Sequence, residues 1–312
     1  RVLFRSRIPE SREYFKKALA LCPQPDKTTG DLALASISMG EAMLEAGRKD
    51  EARELFLKGL TGSENASYLL NDCLNALRGL ALLNMLAYHA MYDWVYVFGH
   101  ESSWYNIWAP GCHVWQQYIC WSFILLSGFS FPLAKRPAKN GLIVAGCAAV
   151  LTFVTAVFMP SEAIWFGVLH LNAAAVLLTC LVYPLLQRLP AGAGLAASAA
   201  LFALTNQLPE GYLGFENWRL CAVPAGLYRA NLFWLGLPDL TRFTSADYFP
   251  ILPWVFLFWC GVFLARLWRP GRGEPPAALR PLCAIGRNTL LVYMLHQPVI
   301  YGALWVWHTV LG

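Results

Sequence analysis

Seven apolar stretches, each close to the length that a lipid bilayer demands, constrain the fold of this chain more than any other feature. The hydrocarbon core of a bilayer is about 30 Å thick, and a helix needs about 20 mostly apolar residues to cross it. We predict about seven transmembrane helices, at residues 74–98, 111–134, 141–160, 163–186, 192–208, 248–268 and 285–311. The fifth of these is short, and a further apolar stretch at 226–238 could form a re-entrant helix. Counts of six and eight therefore remain open.

The composition agrees with a polytopic membrane protein that is all-α. Of the 312 residues, 57% are hydrophobic and only 14% are charged, whereas soluble domains usually carry about 25% charged residues. The formal net charge of +5 comes partly from arginines beside the apolar stretches, so it predicts contact with the lipid bilayer and no nucleic-acid partner. The nine cysteines form no C-x-x-C pair, and we expect neither a disulfide nor a metal site.

Charged residues concentrate in the first 60 positions, which predicts a separate soluble segment. Apolar residues recur at helical spacing over 9–23 and 31–61, and the second run is interrupted by a glycine turn at "AGRKD". The small residues there resemble part of a tetratricopeptide repeat. We predict a cytoplasmic tetratricopeptide-like helical segment at 1–67, which includes a short helical hairpin, followed by a membrane domain at 68–312.

The soluble segment has about one and a half repeats, too few for a stable array. We expect it to dock on a protein partner, to self-associate or to pack on the membrane domain. A bland appendage, a fusion and a fragmentary start, since the first residue is Arg1 rather than methionine, remain alternatives.

Positive charges in the short loops predict the orientation in the membrane. The loops after the first and third predicted spans hold no lysine or arginine, and such residues favour the cytoplasmic side. We therefore expect a multi-pass protein of the plasma or inner membrane with a cytoplasmic N-terminus and an external C-terminus. The basic residues lie after the second, fourth and sixth spans: Lys135, Arg136, Lys139, Arg188, Arg266, Arg269, Arg272 and Arg280.

The first predicted span, "LRGLALLNMLAYHAMYDWV", carries three ionisable residues: Arg78, His89 and Asp93. The eleven-residue step from Arg78 to His89 turns a helix through three full turns plus about 20°, so both side chains lie on one face. Asp93 follows at i+4, where its carboxylate can accept a hydrogen bond from the imidazole. Ionisable groups at this depth are costly and usually functional, although Arg78 could be only a positive-inside anchor.

Other polar residues are predicted at a similar depth in later spans. His170 and His296 converge with His89 near the midplane by helical rise, which suggests a shared polar cavity. The last span adds Tyr293, Gln297 and Pro298 to it, and Asn172 lies near His170. Interhelical hydrogen bonding is the alternative for both histidines. Asp247 could either cap the start of the sixth span or bind an acceptor at the outer mouth.

Five segments in the membrane domain resemble a known family. They are "NALRGLALLNMLAYHAMYDWVYVFG", "FILLSGFSF", "WFGVLHLN", "SADYFPILPW" and "IGRNTLLVYMLHQPVIY". In this order they resemble bacterial members of the heparan-alpha-glucosaminide N-acetyltransferase catalytic-domain family. The step from Arg78 to His89 is also similar to the motif of the broader transmembrane acyltransferases.

The resemblance implies an acyltransferase that moves an acetyl group from cytosolic acetyl-CoA to an amine or hydroxyl of a sugar or glycan across the membrane. His89 matches the motif histidine and would be the general base or a transient acyl carrier, with Asp93 and Arg78 as further catalytic residues. Donor binding is assigned to Arg78, Arg287 and Asn288. Acceptor binding is assigned to His170, Asn172, Asp247, Tyr293 and His296.

One departure from the family pattern concerns Arg78. The family usually has an aspartate where this chain has Asn75, so the charge pairing of Arg78 is lost or provided by Asp72. Two other functions compete with the acyltransferase. A proton-coupled transporter would use the intramembrane histidines as a relay, although no internal repeat is evident, and a non-catalytic scaffold would act through the N-terminal helices.

Overall fold

The computed structural model describes residues 39, 43, 47–268 and 277–311. The predicted helix at 9–23 and most of the predicted run at 31–46 lie outside the described residues. The described part is mostly helical, and a π-helix, Asp93–Val97, continues the first helix. The helices are α1 (Lys49–Tyr92), α2 (Pro110–Ser130), α3 (Pro137–Phe158), α4 (Val168–Arg188), α5 (Ala191–Thr205), α6 (Ile251–Leu267), α7 (Arg280–Arg287) and α8 (Thr289–Leu311).

The chain divides into two compact units, Arg1–Leu74 with Pro270–Arg280 and Asn75–Arg269 with Pro281–Gly312. In the first unit, the predicted turn at "AGRKD" lies at Gly47, whose φ of +79° suits glycine. A small apolar cluster joins the two sides of this turn, with Met39 and Met43 before it and Ala52 and Leu55 after it. The predicted domain boundary at 67/68 falls inside α1, which continues without a break through residue 92.

A helix overlaps each of the seven predicted spans. By length and composition, three described helices can cross a membrane: Pro137–Phe158, Val168–Arg188 and Thr289–Val310. α6 is apolar but has only 17 residues, and α5 has 15. The apolar helices identify a membrane protein. Among the described helices, three have the length and hydropathy of a full crossing, whereas the sequence predicts seven.

Glycines allow close helix crossings at two points of the second unit. A Cβ on Gly128 of α2 would overlap the carbonyl oxygen of Phe258 in α6, and a Cβ on Gly261 of α6 would overlap that of Leu125. The helices therefore touch backbone to backbone, as small residues permit in membrane proteins. The largest core cluster is built around this crossing and includes Ile124, Leu171, Val255, Phe258 and Val262.

A second crossing joins α1 to α7. A Cβ on Gly79 would overlap the carbonyl oxygen of Leu282, and a Cβ on Gly286 would overlap that of Asn75. The segments "LRG" and "IGRN", which are distant in sequence, are therefore in backbone contact. This contact fixes the position at which α8 starts, because α8 begins only three residues after Gly286.

Arg266 of α6 holds the end of α4. Its guanidinium donates to the carbonyl oxygens of Leu186 at 3.0 Å, Gln187 at 3.3 Å and Leu189 at 3.0 Å. The last carbonyls of a helix lack partners within the helix, so a cation there satisfies them and interacts favourably with the helix dipole.

α8 runs parallel to the end of α1 and its π-helical extension. The contacts advance in the same direction along both segments, so the two share a long interface. Successive pairs are His89 with His296, Asp93 with Gln297, and Phe98 with Tyr301.

The loop between α5 and α6 departs from the all-α prediction in two ways. It holds an antiparallel hairpin of β1 (Tyr212–Phe215) and β2 (Trp218–Ala222), and Glu216 in its turn has a φ of +49°. The stretch 226–238 is not the helix that its apolar residues suggested. It forms two short 3₁₀ turns, Ala225–Ala230 and Phe233–Leu235, separated by Asn231 at a φ of +47°, because a left-handed residue ends a helix.

Candidate functional site

The imidazole rings of His89 and His296 pack against each other, with centroids 4.9 Å apart and planes inclined by 59°. The sequence predicts that these two histidines lie at the same depth, and α1 and α8 bring them together. His89 also packs edge-on against Tyr88 at 6.0 Å. Within the described part of the chain, His89 takes part in none of the observed hydrogen bonds, so its two ring nitrogens are unengaged by the fold.

A backbone carbonyl orients His296. Its Nδ1 lies within hydrogen-bond distance of the Tyr293 carbonyl oxygen. A carbonyl can only accept, so Nδ1 carries the proton and the neutral ring presents an unprotonated Nε2. The Tyr293 ring packs against the same imidazole at 5.3 Å. His296 is therefore held in the tautomer that can receive a proton at Nε2.

Asp93 is fully buried, with 0% of its surface exposed, at the start of the π-helix. The sequence predicts a hydrogen bond to His89, but the carboxylate instead accepts from the Nε2 of Gln297, at 2.9 Å to Oδ1 and 3.0 Å to Oδ2. The helix widens at this residue, since the Phe98 N–H bonds to the Asp93 carbonyl oxygen five residues earlier. The hydrogen-bond partner of Asp93 is therefore Gln297 of α8 and not His89.

Arg78 is half-buried and bound by neutral groups. It donates to the Asn75 Oδ1 at 3.0 Å and to the hydroxyl of Ser130 on α2. Asn75 therefore contacts Arg78 although it replaces the aspartate of the family pattern. Guanidinium has five N–H donors, and these two hydrogen bonds leave donors for another partner.

Arg287 and Asn288 lie beside the crossing of α1 and α7. Both are exposed, and the Asn288 side chain donates to the Ala284 carbonyl oxygen at 3.0 Å. Gly286 and Gly79, in backbone contact with the facing helix, are the immediate neighbours of Arg287 and Arg78. The fold thus places the predicted donor-binding residues at one crossing of two helices.

His170 is held by the chain at both ring nitrogens. Its Nδ1 accepts from the Gly167 N–H at 3.3 Å, and its Nε2 lies 3.0 Å from the Thr152 hydroxyl on α3. That hydroxyl donates its one proton to the Ile164 carbonyl oxygen at 2.7 Å, so Nε2 must be the donor to Thr152. His170 contacts Phe166 and Thr152 rather than His89 or His296.

Asp247 joins two of the family-like segments. Its Oδ2 accepts from the Val168 N–H at 3.0 Å, at the N-terminus of α4, where a carboxylate is favoured by the helix dipole. The backbones of Phe166 and Tyr248 form an isolated parallel β-bridge beside it. Burial raises the pKa of the Asp247 carboxyl to about 6, against the smaller opposing effect of the Val168 hydrogen bond.

Asn172 lies one turn into α4. Its Nδ2 donates to the Val168 carbonyl oxygen at 3.1 Å, while its Oδ1 is buried and lacks a partner among the described residues. The Oε1 of Gln297 has the same property. The sequence places Gln297 among the polar residues of the predicted cavity but assigns it no catalytic or binding role.

The predicted site residues thus form separate groups rather than one cluster. His89, His296 and Tyr293 lie together where α1 meets α8, while Asp247 binds the start of α4, where His170 and Asn172 lie. Arg78, Arg287 and Asn288 lie at the separate helix crossing. Among the described residues, no group of three His, Cys, Asp or Glu side chains could hold a metal ion.

Comparison with known proteins identifies the family. No curated protein and no solved structure matches the chain. The family described as "Heparan-alpha-glucosaminide N-acetyltransferase, catalytic" matches residues 72–298, which is more than half of the 312 residues and includes the histidine pair. This membrane protein is a transferase-type enzyme, and the chain belongs to the heparan-alpha-glucosaminide N-acetyltransferase catalytic family.

Proposed function

We propose that the chain is a membrane acyltransferase that moves an acetyl group from cytosolic acetyl-CoA to an amine or hydroxyl of a sugar or glycan on the far side of the membrane. The observation that carries this proposal is the His89 and His296 pair on two parallel helices. His89 has no hydrogen-bond partner among the described residues, and the Nδ1 bond of His296 leaves its Nε2 as a proton acceptor.

His89 is the reacting imidazole in this proposal. Its ring nitrogens are unengaged, and the unprotonated nitrogen of a neutral imidazole can accept a proton or attack an acyl carbon. His296 stands beside it with Nε2 unprotonated, so it can receive a proton that His89 releases. The Tyr293 carbonyl holds the His296 ring as an orienting group does in a catalytic triad.

Two routes use these groups. In direct transfer, the nitrogen or oxygen of the acceptor attacks the thioester carbonyl while its proton passes to His89. The C–S bond then breaks, and the sulfur takes up a proton to leave as the CoA thiol. In the two-step route, the unprotonated nitrogen of His89 attacks the thioester carbonyl and the C–S bond breaks. His296 takes the proton from the other nitrogen of His89 and passes it to the departing sulfur, which leaves as the CoA thiol. The acceptor then attacks the acyl-imidazole, the bond from nitrogen to the acyl carbon breaks, and the acceptor's proton returns to His89.

Arg78, Arg287 and Asn288 are proposed to bind the donor. Guanidinium groups suit the phosphates of acetyl-CoA because their planar donors match phosphate oxygens. Arg78 keeps N–H donors beyond those used by Asn75 and Ser130. The crossing of α1 and α7 supports a common role for the three residues, since it brings their two segments together.

The acceptor is proposed to bind at His296 and Tyr293 of α8 and at Asp247, which binds the start of α4. The unpartnered Oδ1 of Asn172 supports this, because a buried acceptor atom favours a ligand that brings a donor hydrogen. His170 would act there through the shape of the 163–172 segment, since the chain occupies both of its nitrogens.

The proposed setting is a multi-pass protein of the plasma or inner membrane with a cytoplasmic N-terminus and an external C-terminus. The charge distribution in the loops and the parallel course of α1 and α8 support it, since both would cross in the same direction. The N-terminal helices are proposed to bind a protein partner or a second copy of the chain.

The experiment that tests the function measures transfer of labelled acetyl from acetyl-CoA to glucosamine by membranes that contain the full chain. Wild-type membranes should transfer label and His89→Ala membranes should not, at equal protein levels. The exposed His113 provides the matched control, and His113→Ala should keep full activity. Transfer by His89→Ala at the wild-type rate would overturn the role of His89.

The two routes are separated by omitting the acceptor. Purified protein is incubated with labelled acetyl-CoA and denatured at neutral pH, and the protein-bound label is measured. Label on the wild type but not on His89→Ala supports an acyl-imidazole, whereas an unlabelled enzyme that still transfers acetyl to glucosamine supports direct transfer.

A further inference from the structure

Asp93 and Gln297 form a buried polar pair that the proposed mechanism does not use. The Asp93 carboxylate is completely buried, and both of its oxygens accept from the amide nitrogen of Gln297. While Asp93 is ionised, its carboxylate has no hydrogen to donate, so the amide keeps its nitrogen rather than its oxygen toward Asp93. The pair therefore fixes which end of the Gln297 side chain faces Asp93.

The opposite end of that side chain is unsatisfied. The Gln297 Oε1 is buried and has no hydrogen-bond partner among the residues that the structure describes. Buried acceptors are rarely left without a donor, so such an atom needs an explanation. Since Asp93 holds the amide in one orientation, the oxygen cannot escape this position by a flip.

The residue that carries the unsatisfied oxygen is the sequence neighbour of one reacting histidine. Gln297 directly follows His296 on α8, and its partner Asp93 comes one turn after His89 on the facing helix. The two contacts, His89 with His296 and Asp93 with Gln297, are thus successive along one interface. A molecule that reaches the imidazole pair brings its polar hydrogens to the neighbourhood of Oε1.

We propose that Gln297 binds the acyl acceptor, receiving through Oε1 a hydrogen of the amine or hydroxyl that is acylated, and that Asp93 is the positioning residue that aims this oxygen. The inference rests on the proposed function. It gives the buried carboxylate a task other than proton transfer: Asp93 acts on the acceptor only through the amide.

The test measures binding and catalysis separately on the purified full chain. The binding probe is glucosamine, titrated by calorimetry, and the catalytic readout is acetyl transfer with separate KM values for glucosamine and acetyl-CoA. Gln297→Met keeps the length of the side chain and removes the oxygen. We expect at least tenfold weaker glucosamine binding and a glucosamine KM raised by a similar factor, with the acetyl-CoA KM changed less than twofold.

Two further variants separate positioning from stability. Asp93→Asn/Gln297→Glu exchanges the amide and the carboxylate and still leaves an oxygen at position 297, so glucosamine affinity should return to within about threefold of wild type. Asp93→Asn/Gln297→Met leaves no unpaired charge, so it should fold even where Gln297→Met does not, and its glucosamine binding should remain weak. The matched control is Gln116→Met, the same change at an exposed position of α2, which should bind as wild type does.

The outcomes for this inference and for the function differ. Wild-type affinity for glucosamine in either Met variant at position 297, or no binding of glucosamine by the wild type, overturns the role of Gln297. Binding that depends on Gln297 without any acetyl transfer supports that role and overturns the acyltransferase.

Discussion

The ring of His296 lies against the ring of His89 while its Nδ1 is bound to the Tyr293 carbonyl oxygen. These two contacts give the histidines different tasks. The carbonyl leaves His296 with a free lone pair at Nε2, and His89 keeps both nitrogens available within the described fold. Orientation by a second group is a recurring property of catalytic imidazoles.

Loss of Nε2 at position 296 should slow the chemical step. In His296→Asn the amide nitrogen can replace Nδ1 as donor to the Tyr293 carbonyl, but nothing replaces Nε2. We expect kcat for acetyl transfer to fall about 10²- to 10⁴-fold, the usual contribution of a general base, and the dependence of kcat on pH to lose one limb. Kinetics of the purified protein across the pH range measure both effects.

The control for this prediction is His113→Asn. His113 is an exposed histidine at the start of α2 that pairs with Glu216 at 3.5 Å. Its substitution should leave kcat and the pH profile unchanged. A kcat for His296→Asn equal to that of wild type would contradict the proton-acceptor role.

Close packing of α2 and α6 should be sensitive to a single methyl group. Gly128→Ala places a Cβ on the Phe258 carbonyl oxygen, and relief requires the two backbones to separate. We expect a loss of about 1–3 kcal/mol, the usual cost of overpacking, seen as a lower thermal midpoint in detergent.

Gly146 of α3 provides the matched control, because a Cβ there meets no atom within 4 Å. Gly146→Ala should be neutral or more stable by up to about 1 kcal/mol, since alanine favours helix over glycine. Equal melting of the two variants would show that the helices do not cross at Gly128.

Local spacing predicted the helices, but not which residues pair. The apolar windows and the Arg78 to His89 step depend on helical period alone, and the structure places helices on every window. The expected bond from His89 to Asp93 failed because a residue 204 positions away, Gln297, contacts the carboxylate. Pairing between distant helices is set by tertiary packing, which no local pattern encodes.

His170 is a second residue whose tertiary contacts the sequence did not predict. Its depth matches that of His89, and the sequence therefore predicts a shared cavity. The structure instead engages both ring nitrogens through Gly167 and Thr152. The hairpin of β1 and β2 was missed for a different reason, because its strands of four and five residues are too short for alternation to be informative.

Thr152 should matter for stability rather than for chemistry. Thr152→Val removes the acceptor of the His170 Nε2–H, and a buried donor without a partner costs about 1–3 kcal/mol. We expect a lower thermal midpoint and a glucosamine KM within twofold of wild type. Thr205→Val, whose hydroxyl bonds only within α5 and is exposed, should melt as wild type does; a large rise in KM for Thr152→Val would instead favour substrate binding by His170.

Asp247 should make stability depend on pH in an unusual direction. Burial raises the pKa of its carboxyl from 3.8 to about 6, so the folded state binds the proton more tightly than the unfolded state. The stabilisation is fully present below pH 3.8 and is lost as pH rises through about 6. Asp247→Asn cannot ionise and can still accept from the Val168 N–H, so its thermal midpoint should rise relative to wild type as the pH goes from 4 to 7.

The control is Asp239, whose carboxyl accepts from the hydroxyl and the N–H of Thr241. These hydrogen bonds, the hydroxyl first, lower the pKa of Asp239, so its stabilisation is present above the unfolded-state pKa and is lost as pH falls. Asp239→Asn should therefore lose stability relative to wild type at pH 7 and converge with it at low pH. Because the two aspartates shift in opposite directions, thermal melts of both variants at pH 4 and pH 7 distinguish a specific effect of Asp247 from a general effect of removing negative charge. If both variants gained stability toward pH 7, removal of charge alone would explain the result, and burial of the Asp247 carboxyl would not control the junction with α4.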